Sequence, residues 1–283
     1  MNSFMSWIGG KKALRDEIIS RFPTDYKRYI EVFGGGGWVL FHKNPGNDFE
    51  VYNDRKPNLV NLYRCVRDRP DELISELTYA LNSRTDFDYI RKIMKTPTEI
   101  PDVKRAAYFY QLIRYSYASG LDSYASQPHS MWNNFPLITN ACARLQKVVI
   151  ENKDFEKLID QYDRPESFFY CDPPYLGAEK YGVPFYRSDH QELHDMLATR
   201  KSFVIVSYNK KDEIKELYHD FFIFEVDRPN SMSKKKEDRY EEYIMTNYDP
   251  SMFAPQISFF NNYDNGKKAC TLVHTPQYPL KEK

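Results

Sequence analysis

The chain carries no excess charge of either sign: 40 basic residues stand against 40 acidic ones among 283, for a formal net charge of zero. A global basic field that would draw it to polyanions is therefore excluded, and any polyanion surface has to be a local patch. No apolar run is long enough to cross a membrane. The first residues, Met1-Asn2-Ser3-Phe4-Met5-Ser6-Trp7, lack the basic-then-apolar layout of a secretory leader. The four cysteines, Cys65, Cys142, Cys171 and Cys270, fit neither a metal-ligand spacing nor a disulfide framework. The six histidines show no ligand spacing either; His190 and His194 share a helical face and read as ordinary polar positions. No metal and no membrane are expected, and the thiols read as reduced in a cytoplasmic protein.

Aromatic residues, by contrast, make up 16% of the chain, and short apolar runs recur with helical stretches between them. The runs predict strands over 29–33, 50–54, 148–151, 167–171, 203–207, 221–224 and 243–246. A helix can begin at Trp38, and helical patterns cover 189–197 and 212–219. This alternation predicts an α/β protein with a mostly parallel sheet and helices on both faces. Ligands of such sheets sit at the carboxyl ends of strands, where the glycine run 34–37, Asp54 and Asp172 all fall. Residues 57–143 break the alternation. They are helix-biased and end in a loop-like Tyr- and Ser-rich stretch running from Arg114 to Pro136. The organisation expected is a core domain from 1–56 and 144–283 with an inserted helical subdomain over 57–143. Residues 231–239, with Lys234, Lys235, Lys236 and Arg239, read as a polar loop between two strands.

Asp172-Pro173-Pro174-Tyr175 closes the fourth strand. A Pro-Pro pair after a strand is ordinarily only a turn, but this tetrapeptide should arise by chance in about one such chain in a thousand. It meets the needs of methyl transfer to an exocyclic amino nitrogen, whose lone pair is conjugated into its ring. The Asp172 carboxylate and a backbone carbonyl of the Asp-Pro pair can each accept one amino hydrogen and draw the lone pair out of conjugation. The prolines offer no competing N–H and have fixed φ. Tyr175 supplies a flat ring on which a base can stack. Upstream, the glycine turn follows a strand, and Asp54 closes the next one, placed to accept from ribose hydroxyls. A dinucleotide site would want a third glycine where Val39 stands.

Taken in order, these segments resemble the DNA adenine-N6 methyltransferases of the Dam-like D12 class, and the resemblance covers most of the chain. Ser6-Trp7-Ile8-Gly9-Gly10-Lys11 resembles the family's Trp-Ala-Gly-Gly-Lys segment. Glu31-Val32-Phe33-Gly34-Gly35-Gly36-Gly37 is similar to its Glu-Pro-Phe-x-Gly-x-Gly turn, with Val32 in place of Pro. Asn53-Asp54 resembles the ribose-binding strand, Lys153-Asp154-Phe155 the pair beside the cofactor adenine, and Glu241 to Tyr248 the late Glu-Glu-x-x-x-x-Asn-Tyr strand. The family's Phe-Asn-Val-Pro-Phe-Gly hairpin run has no clear counterpart here.

The resemblance implies a Rossmann-like fold that binds S-adenosyl-L-methionine in the turn containing Gly35 and Gly37, with Trp7, Glu31, Phe33 and Asp172 lining the site. Asp54 would take the ribose, Asp154 and Phe155 would lie at the adenine, and Lys11 would either pair with the methionine carboxylate or be a plain solvated lysine. It implies a double-stranded DNA partner whose target adenine is flipped out and stacked on Tyr175, with Asp172, Pro173 and Pro174 as the catalytic motif. The protein would be a monomer, or a transient dimer on DNA, in a bacterial cell or phage-infected host. Arg114, Tyr115, Ser116 and Tyr124 are the expected base-reading group, against a buried tyrosine cluster, and Lys234, Lys235, Lys236 and Arg239 the phosphate contacts. A methyltransferase for another nitrogen (cytosine N4, an RNA base, a protein glutamine) or a non-catalytic DNA-binding relative are the competing functions; Asp172 itself favours adenine.

Overall fold

Ser167-Phe168-Phe169-Tyr170-Cys171 is buried at every position, the burial of a strand covered on both faces and flanked by parallel neighbours. In the computed structural model, which describes residues 1–96, 98–177, 184–229, 239–253 and 269–277, that segment is β4. The chain divides into two compact units, Met1–Lys12 with Gly34–Asp154 and Ala13–Phe33 with Phe155–Lys283.

In the second unit β1 (Arg28–Glu31) and β5 (Phe203–Asn209) flank β4 in parallel, Tyr29 opposite Phe168 and Phe168 opposite Phe203. β7 (Arg239–Thr246) lies antiparallel to β5, then β6 (Phe222–Pro229) to β7, and β8 (Ala269–His274) to β6. Helices α1 (Arg15–Ile19), α8 (Phe155–Tyr162), α9 (Arg187–Ala198) and α10 (Asp212–Leu217) and a short 3-10 helix, Pro250–Phe253, also belong to this unit. Its core is aromatic: Phe22, Tyr29 and Phe168 meet at centroid distances of 4.6–5.7 Å, and rings in such contact contribute about 0.5–1.5 kcal/mol per pair beyond area burial.

The first unit pairs β2 (Phe49–Asn53) with β3 (Val148–Glu151) in parallel and adds α2 (Trp38–His42), α3 (Pro57–Asp68), α4 (Pro70–Thr78), α5 (Arg84–Ile93), α6 (Asp102–Tyr115) and α7 (Phe135–Leu145). Proline at the first helical position starts α3 and α4, where its missing N–H costs nothing. The same Pro70 halts α3, because the residue before proline is pushed out of helical conformation. Along α3, Leu59, Leu62, Tyr63 and Val66 recur at i, i+3 and i+4 and are buried together. Burial of each such side chain contributes roughly 1.5–3 kcal/mol.

The α/β class holds, and each of the seven expected strands is present: 148–151 and 167–171 keep their expected bounds, and the other five have ends moved by one to five residues. Among the described residues five of the eight strands have parallel neighbours, and the antiparallel ones gather at one end of the second unit. β8 was not foreseen. The segment 57–143 is helical as expected and lies within the first unit, together with the glycine turn, β2 and β3. Arg114 and Tyr115, expected in a loop, are the last residues of α6 instead: the helix keeps burying its aromatic face through Phe109, Tyr110 and Tyr115. Among the described residues no helix is long and apolar enough to cross a membrane.

Candidate active site

In the first unit the turn after Phe33 is assembled from backbone. The Gly34 N–H donates to the Asn53 carbonyl at 2.7 Å, and the Gly37 N–H donates back to the Gly34 carbonyl at 2.7 Å. Gly35 and Gly37 have φ of 49° and 63°, a region that costs an L side chain about 1–2 kcal/mol. A Cβ on Gly37 would also lie 2.7 Å from the Tyr63 hydroxyl, and one on Gly35 would lie 2.9 Å from the Trp7 ring. Tyr52 and Tyr63, stacked at 3.9 Å, both donate to the Gly35 carbonyl, at 2.8 and 3.1 Å. Neither tyrosine was among the expected site residues.

Asp54 ties this turn to the end of β2. Its Oδ2 accepts from the Gly35 N–H at 3.0 Å and its Oδ1 from the Lys56 N–H at 2.8 Å. Burial pushes the Asp54 carboxyl up, and the two backbone donors oppose that shift. Each oxygen has a second lone pair, so the group can still accept from a ligand hydroxyl. Asn53, also unforeseen as a site residue, brackets Lys153: its Oδ1 accepts from the Lys153 N–H at 2.8 Å and its Nδ2 donates to the Lys153 carbonyl at 3.1 Å. That clamp sets the start of the next segment, where Asp154 pairs with Arg55 at 2.7 Å. Lys11 is not a solvated lysine. It is buried, and its Nζ donates to the Gly9 carbonyl at 2.9 Å. Trp7 lies over Gly35, with the Lys56 ammonium 5.3 Å from its ring.

In the second unit the site is made of side chains at strand ends. Glu31, at the end of β1, is buried and accepts from the Tyr29 hydroxyl at 2.7 Å. Phe33 and Phe155 meet at 6.0 Å and share a third ring, Phe185, 5.7 Å from each. Phe185 was missed. Asp172 follows β4 directly, and its Oδ1 accepts from the Ser207 hydroxyl of β5 at 3.0 Å; Ser207 is also 3.2 Å from the Tyr170 hydroxyl. Pro173 is buried and Pro174 half-buried. The Tyr175 hydroxyl donates to Glu242 Oε2 at 2.6 Å, and its ring lies 6.0 Å from that of Tyr208. Burial, with the Asp172 and Glu242 carboxylates next, pushes the Tyr175 hydroxyl well above its ordinary value. His190 and His194 are buried, not plain surface groups: His190 Nδ1 is 2.7 Å from the Tyr208 hydroxyl, and His194 bridges Asp195 and Asp220 at 2.9 Å each.

The expected base-reading group gathers in the first unit around a closed loop. Ser116 and Tyr124 form an antiparallel bridge, flanked by Tyr117 N–H to Ser123 carbonyl and Ala125 N–H to Tyr115 carbonyl bonds, both 2.8 Å. Inside it Ala118, Ser119 and Leu121 all have positive φ, and the Ser119 hydroxyl is 2.7 Å from that of Ser6. Tyr115 and Ser116 are buried, whereas Tyr124 donates to the Asn82 side chain at 2.9 Å under the Arg84 guanidinium. Arg114 is half-buried, with its Nε buried and without a hydrogen-bond partner. Tyr117, beside this group, is the exposed aromatic. Lys234, Lys235 and Lys236 lie outside the described residues, and Arg239 opens β7. Among the described residues no group of three or more His, Cys, Asp or Glu side chains could hold a metal ion.

The chain matches, over residues 7–232, the family model described as D12 class N6 adenine-specific DNA methyltransferase. Type II methyltransferase M1.LlaDCHI of Lactococcus lactis subsp. cremoris is 27% identical over 276 residues, covering 88% of this chain and 96% of that protein. Type II methyltransferase M.MjaIII of Methanocaldococcus jannaschii is 28% identical over 287 residues, 87% of this chain and 98% of that protein. A DNA adenine methylase of Haemophilus influenzae is 26% identical over 268 residues, 85% and 92% of the two chains.

Proposed function

The chain belongs to the D12 class N6 adenine-specific DNA methyltransferase family, and on that premise we propose that it methylates N6 of a flipped-out adenine at a specific site in double-stranded DNA, using S-adenosylmethionine. The observation that carries the residue roles is the Asp172 carboxylate at the end of a fully buried strand, fixed by Ser207, three residues before a tyrosine fixed by Glu242.

The residues of the glycine turn fit this cofactor. The turn is locked by Asp54, Tyr52 and Tyr63 before any ligand arrives, and Asp54 keeps acceptor capacity for ribose hydroxyls. Asp154 and Phe155 would hold the adenine end, and the buried Lys11 ammonium would face the carboxylate. When bound, S-adenosylmethionine supplies a methyl group made electrophilic by its sulfonium. The protein's own work lies with the target. Tyr175 receives the extruded base on its ring. Asp172 and the Pro173 carbonyl accept the two N6 hydrogens, which localises the lone pair on nitrogen and aims it. As N6 gains positive charge, the fixed Asp172 carboxylate stabilises it without reorganising. Most of the acceleration comes from such alignment and preorganisation, with no covalent intermediate on the enzyme.

Residues 57–143 are the target-recognition region in this account. Three non-glycine residues with positive φ inside one closed loop support it, because such backbone clusters at functional sites. Buried Tyr115 and Ser116 would shape the loop, Tyr124 would brace it, and Arg114 would reach a base edge. Lys234, Lys235, Lys236 and Arg239 would contact phosphates. Mass spectrometry of nucleosides from treated duplex DNA tests the function: N6-methyladenine is expected, and N4-methylcytosine alone would overturn it.

A further inference from the structure

Glu242 is a costly residue for its place. It sits in β7 between β5 and β6, opposite Asn209 on one side and Val226 on the other, and is 3% exposed. Holding a carboxylate out of water costs several kcal/mol unless it is well paired, and an apolar residue would serve the strand ladder as well. One partner of this carboxylate is informative. The Glu242 Oε2 accepts from the Tyr175 hydroxyl at 2.6 Å, a short hydrogen bond. The hydroxyl stays protonated, since burial and the two neighbouring carboxylates push its pKa up. The Tyr208 ring stands 6.0 Å from the Tyr175 ring at an interplanar angle of 31°. A tyrosine ring turns about two torsions, and a tether at its far end removes most of that freedom.

We propose that Glu242 is the positioning residue for Tyr175: by holding the hydroxyl it sets the plane against which the target adenine stacks. This rests on the reading that Tyr175 receives the base. Glu242 does for the ring what Ser207, on the adjacent strand β5, does for Asp172. Two neighbouring strands thus fix the two target-facing side chains before DNA arrives. A loose ring would still bind DNA and cofactor but would present N6 poorly, so the loss belongs in kcat.

The test is a double-mutant cycle on the full-length chain with Tyr175→Phe, Glu242→Ala, both together, and Glu242→Gln. Rates are measured on adenine-unmethylated genomic DNA with methyl-tritiated S-adenosylmethionine, and cofactor affinity by calorimetry. Tyr175→Phe and Glu242→Ala should each lower kcat about ten- to a hundredfold, the scale of a hydrogen bond to a charged group. Cofactor Kd should stay within about twofold, and the double variant within about threefold of the worse single one. Glu242→Gln, whose amide oxygen still accepts, should recover most of the rate. Multiplicative losses, or Tyr175→Phe at the wild-type rate, would overturn the proposal. Should Glu242→Ala fail to fold, Tyr175→Phe and Glu242→Gln still decide: a wild-type rate in the first or no recovery in the second overturns it. A wild-type protein that methylates no adenine would defeat the underlying reading instead.

Discussion

Asp54 and Asp172 each follow directly on a buried strand, β2 in the first unit and β4 in the second, yet they are held in opposite ways. Asp54 accepts two backbone N–H groups, one of them from the glycine turn, so the carboxylate is part of the turn's construction. Asp172 accepts from a side chain, Ser207, and the backbone around it is set by prolines and by a strand buried at every position. The cofactor half is therefore a piece of shaped main chain, and the target half a set of side chains mounted on finished strands. Damage to the first should spread into folding and binding. Damage to the second should stay in chemistry.

The sharpest contrast comes from the target half. Asp172→Ala should lower turnover by about 10²–10³-fold or more, the scale of losing one preorganised electrostatic partner of the transition state. Its melting temperature should match wild type, as a calorimetric scan beside a steady-state assay would show. In the cofactor half, Gly37→Ala forces a Cβ into a left-handed position against the Tyr63 hydroxyl. It should cost about 1–3 kcal/mol and lower melting temperature and cofactor affinity together; a change in kcat alone would break the comparison.

The recognition loop lies in the first unit but takes no part in cofactor or target chemistry. Arg114→Ala should cost about 1–3 kcal/mol at a single base position of the site, read by methylation across a panel of duplexes. A variant that folds normally and keeps the same preference removes Arg114 from the reading surface. The smallest effect concerns support beneath the target half. Burial alone would lower the His194 pKa, but hydrogen bonds to Asp220 and Asp195 outweigh it and raise the value above 6.5. A raised folded pKa gives stability that is present below the unfolded value and lost as pH rises through the folded one. His194→Gln should thus lower the melting temperature more at about pH 5.5 than at about pH 8.5, with cofactor affinity unchanged. An equal loss at both pH values would remove the charge from the explanation.

Legibility in the sequence followed the same divide. Runs such as Phe168-Phe169-Tyr170-Cys171 and Phe203-Val204-Ile205-Val206 announce buried parallel strands, and the glycines and prolines announce turns. β8 escaped because an edge strand with Thr271 and Leu272 exposed has no apolar run to display. The partners of the motif residues escaped for another reason. Tyr63 reaches Gly35 across 28 positions, Ser207 reaches Asp172 across 35, and Glu242 reaches Tyr175 across 67. No local pattern marks such pairs; only the fold brings them together. The two helix histidines were read as ordinary polar positions, and Lys11 was left open between a ligand contact and a solvated lysine, because a lone polar residue carries no sign of its burial.

The division of labour is tested most directly by titrating S-adenosylmethionine into Asp54→Ala and Asp172→Ala side by side in a calorimeter. Asp54→Ala should weaken binding by about 1–3 kcal/mol, as expected for a lost charge-assisted acceptor, while Asp172→Ala should bind as wild type and lose turnover by about 10²–10³-fold or more. Equal affinity losses in the two variants, or an Asp172→Ala that alone fails to bind, would contradict the account.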